Sequence, residues 1–303
     1  MSRGASIDLG TNTCLLLIAE WEEGAHTVAR AIEDVSTVVR LGEGVDQTGV
    51  LSESAMDRTF QCLRDYVKRV KDAGIDPSSV KAVATSSSRD AKNAVSFFDR
   101  IEHELGFHFS VISGEQEARA SFQGALLPGI NPNDAWVIDI GGGSTEFVSL
   151  ARAVSIDMGA VRFFERYLAQ DDPPSDEHFW KAQQAVDQLL KNYQEDLSSI
   201  KKGTLIGVAG TVTTLAAVYH RMQAFDAHKI DETVLTRDTL QRLVAELKRR
   251  TSAERLEMPG VQPGREDVLL AGALILWRVM EFLNVPELRV SSRGLRYGVL
   301  TCE

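Results

Sequence analysis

Ser6-Ile7-Asp8-Leu9-Gly10-Thr11-Asn12-Thr13 near the start of the chain recurs in type as Val137-Ile138-Asp139-Ile140-Gly141-Gly142-Gly143-Ser144-Thr145-Glu146 near its middle. Each copy is a short apolar strand ending in Asp, then a tight turn of Gly and hydroxyl residues, then a second apolar run, Cys14 to Ala19 or Phe147 to Leu150. The pattern predicts a β-hairpin whose turn holds phosphate. Glycine lets the backbone approach an anion closely, successive N–H groups form a concavity for its oxygens, and Ser or Thr hydroxyls add donors. Asp8 and Asp139 would repel a phosphate, so their expected use is to hold a Mg²⁺, through water, that bridges to the phosphate oxygens. Asp-x-Gly alone is also ordinary turn chemistry. Three consecutive glycines followed by Ser-Thr-Glu give up too much chain entropy for a mere hairpin. Two such loops, one per half, point to a clamp.

Composition bounds the rest. The 303 residues suit two domains, and 44% hydrophobic content is enough for two packed cores. No stretch approaches the run of roughly eighteen apolar residues that a membrane span needs, and the N-terminus runs into the first strand without a signal sequence, so a cytoplasmic protein is expected. Cys14, Cys62 and Cys302 lie far apart with no CxxC spacing, which implies neither a disulfide framework nor a zinc site. The six histidines are scattered. A formal charge of −10 argues against general nucleic-acid binding, which needs a basic surface to release phosphate counterions. An anionic substrate must therefore be met by local cations. Lys248-Arg249-Arg250, the densest basic run, ends a helical stretch from about Arg237 and reads as a solvated helix end.

After the first hairpin, Thr37 to Gly44 reads as a strand running into a Gly-rich turn, and Ser52 caps a helix from about Glu53 to Ala73. Val80 to Thr85 reads as a buried strand that delivers Ser86-Ser87-Ser88-Arg89 to the start of the next helix, an arrangement directed at an anion or else a capping segment with an exposed Arg. A strand near Phe107 to Ile112 leads to Ser113 and Gln116 at capping-box spacing. Glu117, Ala120, Ser121 and Gly124 then share one helical face, small except for the carboxylate, which lets another layer approach closely. The polar segment Pro128 to Asn133 is the expected domain boundary. The second half repeats the plan with insertions: a strand at Val154 to Met158, helical material from Ser175 to about Ile200, and a strand from Thr204 that breaks at Gly210 into an apolar helix, Leu215 to Tyr219. Gly210 and Thr211 read either as a phosphate-directed turn or as a plain helix cap. A helix from Asp267 to Leu283 and a strand from Glu287 to Val290 precede Ser291-Ser292-Arg293-Gly294-Leu295-Arg296-Tyr297-Gly298.

Taken in order, Ile7 to Thr13, Ala84 to Asn93, Ser113 to Arg119, Ile138 to Glu146, Val208 to Thr211 and Gly294 to Gly298 closely resemble the motifs of the exopolyphosphatase and guanosine pentaphosphate phosphohydrolase family, within the actin-like ATPase superfamily. The resemblance spans Ser6 to Leu300. It implies an α/β fold of two ribonuclease-H-like domains, residues 1–128 and 129–290, with the active site in the cleft between them and the segment 291–303 packing back on the first. It implies that Glu117 is the catalytic glutamate, which positions and deprotonates the attacking water. Asp139 and Glu146 fall on acidic residues associated with the metal. Thr11, Asn12 and Thr13, with Gly141, Gly142, Gly143 and Ser144, fall on the phosphate-binding loops, Arg89 on the phosphate-contacting arginine, and Gly210 and Thr211 on the second-domain loop. Gln116 stands where many relatives carry a second Glu, and Tyr297 where a Glu is common. The chain, ending at Glu303, is expected to lack the additional C-terminal helical domains of longer members.

The resulting expectation is a Mg²⁺-dependent exopolyphosphatase that releases terminal orthophosphate from inorganic polyphosphate. Hydrolysis of the guanosine pentaphosphate γ-phosphate stands as the close rival, and a non-catalytic polyphosphate or nucleotide sensor, or a kinase of the superfamily, as rivals of a different class. Retention of Glu117, Arg89 and both acidic loops argues against the sensor, and no site for an acceptor hydroxyl is recognisable for the kinase. A homodimer is expected, since dimers are common both in general and in relatives.

Overall fold

The computed structural model describes residues 1–22, 28–127, 130–198, 200 and 203–301. Pro128 and Gly129, within the expected boundary, and Cys302 lie outside them. The chain divides into two compact units, Met1–Gly124 with Gly294–Glu303, and Ala125–Arg293.

The first unit is built on a five-stranded sheet. β1 (Ser2–Leu9) and β2 (Thr13–Trp21) form the first hairpin, and β3 (Arg30–Val38) continues the antiparallel meander. β4 (Lys81–Ala84) and β5 (Phe109–Val111) add in parallel on the other side, in the order β3-β2-β1-β4-β5. Alternation sorts the strand residues between two faces. Ala5, Ile7 and Leu9, with Cys14, Leu16 and Ile18, join one core, while Leu17 and Ala19 pack with Leu300 on the opposite side. The crossover from β3 to β4 carries the helix Glu53–Asp72. Ser52 Oγ caps it by accepting from Ala55 N at 3.3 Å, and Phe60, Leu63, Tyr66 and Val70 form its buried stripe.

The second unit repeats this plan. β6 (Ala135–Ile140), β7 (Thr145–Val148) and β8 (Ala153–Ile156) are an antiparallel meander, and β9 (Thr204–Val208) lies parallel to β6. β11 (Glu287–Val290) lies parallel to β9, and β10 (Val234–Thr236) is an antiparallel addition at the edge. The order β8-β7-β6-β9-β11 matches that of the first unit, and both are ribonuclease-H-like. The helix Leu269–Phe282 is apolar nearly all round and is buried along its length, as such a composition requires. Among the described residues no helix is long and apolar enough to cross a membrane.

Several elements differ from the sequence expectation. β3 begins at Arg30, seven residues before the expected strand, because an edge strand with both faces partly wet shows no hydrophobic alternation. The segment after β4 forms two helices, Ser86–Asp90 and Ala94–Leu105, rather than one. The helix after β9 starts at Ala209 rather than Leu215, since Ala209 takes a left-handed conformation (φ 63°) and turns the chain within one residue. The strand β10 and the closing helix Leu295–Thr301 were not foreseen. That helix lies on the small face of the helix Gly114–Ala125: a Cβ on Gly298 would come 1.8 Å from the Ala120 carbonyl oxygen, and one on Gly124 would come 2.1 Å from that of Gly294.

Candidate active site

In the first unit the turn Gly10–Asn12 is closed by Gly10 N–H donating to Thr13 O at 2.8 Å. Its carbonyls are strapped from outside. Val39 N and Arg40 N donate to Asn12 O at 2.9 and 3.0 Å, and Gly42 N to Thr11 O at 2.8 Å. The strap passes so close that a Cβ on Gly42 would meet Thr11 Cγ2 at 2.3 Å and Ser87 Cβ at 2.8 Å, which brings the start of the helix Ser86–Asp90 against the turn. Thr11, Asn12, Ser87 and Ser88 are all buried, yet Asn12 Nδ2 and the Ser87 and Ser88 hydroxyls have no hydrogen-bond partner among the described residues. Buried donors left unpaired are costly, so this group of them suits an anion. Asp8, half-buried, stands on β1 opposite Leu15 and Val83.

Arg89 and Glu117 meet beside this turn. Arg89 Nη1 donates to Glu117 Oε2 and to Ile112 O, each at 2.8 Å. Glu117 lies in the first turn of its helix, whose start is fixed by the reciprocal bonds Ser113 N to Gln116 Oε1 (2.9 Å) and Gln116 N to Ser113 Oγ (3.2 Å). A glutamine thus completes the capping box. The Glu117 side chain is only 8% exposed. Burial raises its pKa above the ordinary glutamate value, against the Arg89 charge and the hydrogen bonds from Arg89 and Thr85 that lower it. A carboxylate destabilised by burial but kept in place by an arginine has the properties of a general base.

The second unit builds the same device. Gly141 N donates to Ser144 O at 2.9 Å, and the strap here is the segment after β8: Ala160 N donates to Gly141 O at 2.9 Å, and Val161 N and Arg162 N to Gly142 O at 2.9 and 3.1 Å. Gly159 permits it, since a Cβ there would lie 2.2 Å from Gly142 O. Asp139 and Glu146 face each other across the hairpin, both buried, and Ser155 Oγ donates to Glu146 Oε1 at 2.9 Å. Two carboxylates directly opposite on one sheet face repel unless a cation or proton intervenes.

Gly210 and Thr211 stand in the first turn of the helix Ala209–Tyr219, where Thr211 Oγ1 donates to Ile140 O at 3.3 Å at the end of β6. Against Gly210 lies a residue that the sequence analysis did not single out, Arg265. A Cβ on Gly210 would fall 1.7 Å from Arg265 Nη1. Arg265 is buried, its Nε donates to Gln262 Oε1 at 3.2 Å, and it forms no ion pair among the described residues. Burial alone lowers its pKa to about 10, so it keeps its charge at neutral pH. In the structure Glu266 accepts from Gly264 N and Asp267 from Val268 N.

A family model, the Ppx/GppA phosphatase family, matches residues 17–303. The chain belongs to the Ppx/GppA phosphatase family. As a family member it is a phosphoanhydride hydrolase. Exopolyphosphatase 2 of Mycobacterium tuberculosis is 33% identical over 316 residues, 99% of this chain and 98% of that protein. The bifunctional 3-dehydroquinate synthase/phosphatase of Fusobacterium nucleatum is 32% identical over 311 residues, and the chain spans 46% of its length. Among solved structures, an exopolyphosphatase-like protein superposes with a TM-score of 0.89 at 32% identity, covering 99% of this chain and 98% of that one. The Ppx/GppA family member of Aquifex aeolicus does so with 0.76 at 33%, covering 99% and 96%.

Proposed function

We propose that this Ppx/GppA phosphatase is an exopolyphosphatase that removes terminal orthophosphate from inorganic polyphosphate, with Glu117 as the base for the attacking water. The observation that carries the reading is the buried Glu117 carboxylate, of raised pKa, bonded to Arg89 beside unpartnered Asn12, Ser87 and Ser88 donors. Its support from comparison is the exopolyphosphatase relative that matches over nearly its whole length.

Cleavage of a phosphoanhydride passes through a loose transition state whose charge spreads over the transferred group, so positioning and positive charge supply most of the catalysis. Glu117 Oε accepts a proton from water as its oxygen attacks the terminal phosphorus, and the bridging oxygen leaves with the shortened chain. Among the described residues Arg89 bonds through Nη1, to Glu117 and Ile112, which leaves Nε and Nη2 for phosphate oxygens. Thr11, Asn12, Thr13 and Arg89, and in the second unit Gly141 to Ser144, Gly210, Thr211 and Arg265, are assigned to phosphate binding.

Asp139 and Glu146 suit a divalent cation. Their carboxylates lie opposite each other across the hairpin, and Mg²⁺ commonly takes only one or two carboxylates, completing its shell with water and substrate phosphate. When bound, Mg²⁺ would neutralise charge on the phosphate chain. Asp8, in the first unit, is likewise assigned to a cation held through water.

The test is orthophosphate release from polyphosphate, guanosine pentaphosphate, ATP and pyrophosphate, measured side by side with Mg²⁺. Release from polyphosphate at the highest kcat/KM is expected. A preference for guanosine pentaphosphate would transfer the assignment to that γ-phosphate, and release from none of the four would overturn the catalytic reading.

A further inference from the structure

The loop that delivers Arg265 lies along the helix Ala209–Tyr219 and touches it at both ends. Gly260, in a left-handed conformation (φ 100°), rests on the helix backbone near its end, where a Cβ would come 2.4 Å from Ala217 C and 2.5 Å from Ala217 O. Arg265 then lies on Gly210 in the first turn. The segment thus runs back along about two turns of helix, roughly 10 Å at 1.5 Å of rise per residue. Single turns shape it, Val261 N donating to Met258 O and Arg265 N to Gln262 O, each at 3.1 Å.

Arg255 grips the far end of this loop. It sits on the short helix Ser252–Leu256, whose start is fixed by the Thr251–Glu254 capping box and by Ser252 N donating to both Asp172 carboxylate oxygens at 2.9 Å. With 1% exposure it is the largest fully buried side chain among the described residues. Its Nε donates at 2.9 Å to Leu247 O, in the last turn of the helix Arg237–Lys248, and its Nη1 at 3.2 Å to Glu266 O, beside Arg265. Among the described residues Nη2 has no hydrogen-bond partner and the guanidinium forms no ion pair. Burial lowers its pKa, against the longer-range charges of Asp172 and Asp267.

A methionine or leucine would fill this space without desolvating a charge, so stability gives no reason for a cation here. Geometry does. The C-terminal carbonyls of a helix favour a cation, and a planar guanidinium spans Leu247 O and Glu266 O as one rigid fork. We propose that Arg255 is a positioning residue: through Glu266 O it holds Arg265 buried against Gly210, set to meet a substrate phosphate. The effect on affinity rests on the phosphate assignment of Arg265 made above, whereas the hold on Arg265 does not.

Phenylglyoxal labelling mapped by peptide mass spectrometry reads the exposure of Arg265, while kinetics on polyphosphate and calorimetry read KM, kcat and Tm. Arg255→Met keeps the volume and loses every donor. In this variant Arg265 is expected to be labelled well below Tm, under conditions in which the unsubstituted protein protects it. KM is expected to rise roughly tenfold with kcat little changed, the scale on which small misplacements act. In an Arg265→Gln background the same substitution is expected to leave KM where Arg265→Gln alone puts it, since a residue acting through another has nothing left to act on. Arg265 still protected in Arg255→Met, or a KM effect that adds in full to that of Arg265→Gln, would overturn the inference. So would a lowered Tm with KM unchanged where Arg265→Gln raises it. If the methionine variant does not fold, Arg255→Lys, with one ammonium in place of the fork, enters the same cycle under the same criteria. Should Arg265→Gln alone leave KM unchanged, the phosphate assignment of Arg265 fails, and labelling still decides whether Arg255 holds it in place.

Discussion

Glu117 faces opposing demands, and its raised pKa shows which prevails: burial disfavours the carboxylate by more than Arg89 and Thr85 favour it. The sign follows from linkage. Below the unfolded-state pKa the group is neutral in both states and costs nothing. As pH rises through the raised folded value, the native state must ionise a buried acid and loses stability relative to the unfolded chain. Activity runs the opposite way, because only the ionised form can take a proton from water. The acid limb of kcat/KM is therefore expected above the ordinary glutamate value of 4.5, as a pH–rate profile would record. Glu117→Gln is expected to lower turnover by roughly 10²- to 10⁴-fold while leaving Tm at neutral pH unchanged or raised. Near-normal turnover in this variant would assign the base elsewhere.

Arg265 carries the same conflict with the charge reversed. Its buried guanidinium, pressed on Gly210, has a neutral amide and, among the described residues, no carboxylate as partner. Removing such a charge relieves a desolvation cost, so Arg265→Gln is expected to hold or raise Tm. If the residue binds phosphate, the same variant raises KM for polyphosphate by about tenfold or more, the worth of a charge-assisted bond. Steady-state kinetics beside calorimetry separates the two effects, and a fall in Tm with KM unchanged would make Arg265 a packing residue.

At the scale of elements, each glycine turn is a composite of a hairpin and a strap. The straps, Val39–Gly42 and Gly159–Arg162, follow the third strand of each meander and occupy the turn's carbonyls. The closing helix Leu295–Thr301 is fixed by comparable economy of volume. Ser6 Oγ donates to Arg296 O at 2.6 Å, Arg296 forms a two-bond pair with Asp34 at 2.7 and 2.8 Å, and Tyr297 Oη donates to Asp34 Oδ2 at 2.8 Å. A hydroxyl donor at 297 suits the Asp34 carboxylate. Gly298→Ala has no such latitude, because its Cβ would strike the Ala120 backbone rather than a movable side chain. Overpacking of this kind costs about 1–3 kcal/mol. Denaturant unfolding should show a lower midpoint of that size, and an unchanged midpoint would mean that the two helices separate freely.

For the whole molecule, two units of the same topology carry different chemistry at the same turn: the first pairs it with Glu117 and Arg89, the second with opposed carboxylates and Arg265. Chelation of divalent cations is expected to abolish phosphate release reversibly, and Asp139→Asn to weaken the Mg²⁺ dependence and turnover together without unfolding the protein. A Mg²⁺ titration with unchanged midpoint and full turnover would remove Asp139 from the cation. The expected homodimer is checked by light scattering at micromolar concentration, where a monomer mass would refute it.

The amino-acid sequence by itself determined the family, the two hairpins, the cap at Ser52, the capping box at Ser113 and most strands. These are local signals: a glycine, an Asp or an apolar period acts over a few residues, whatever lies beyond. It set β3 seven residues late and was silent on the closing helix, and the residues of both gain their conformations from the strand and helix they pack against. It also misplaced the helix start at Ala209, where a single left-handed residue replaces a loop. Only the tertiary structure decided that residues 39–42 and 159–162 strap the turns and that Arg265 rather than a motif residue lies on Gly210. It alone set the sign of the Glu117 shift, because desolvation and long-range pairing depend on which distant segments close over a group, and no spacing within the chain encodes that.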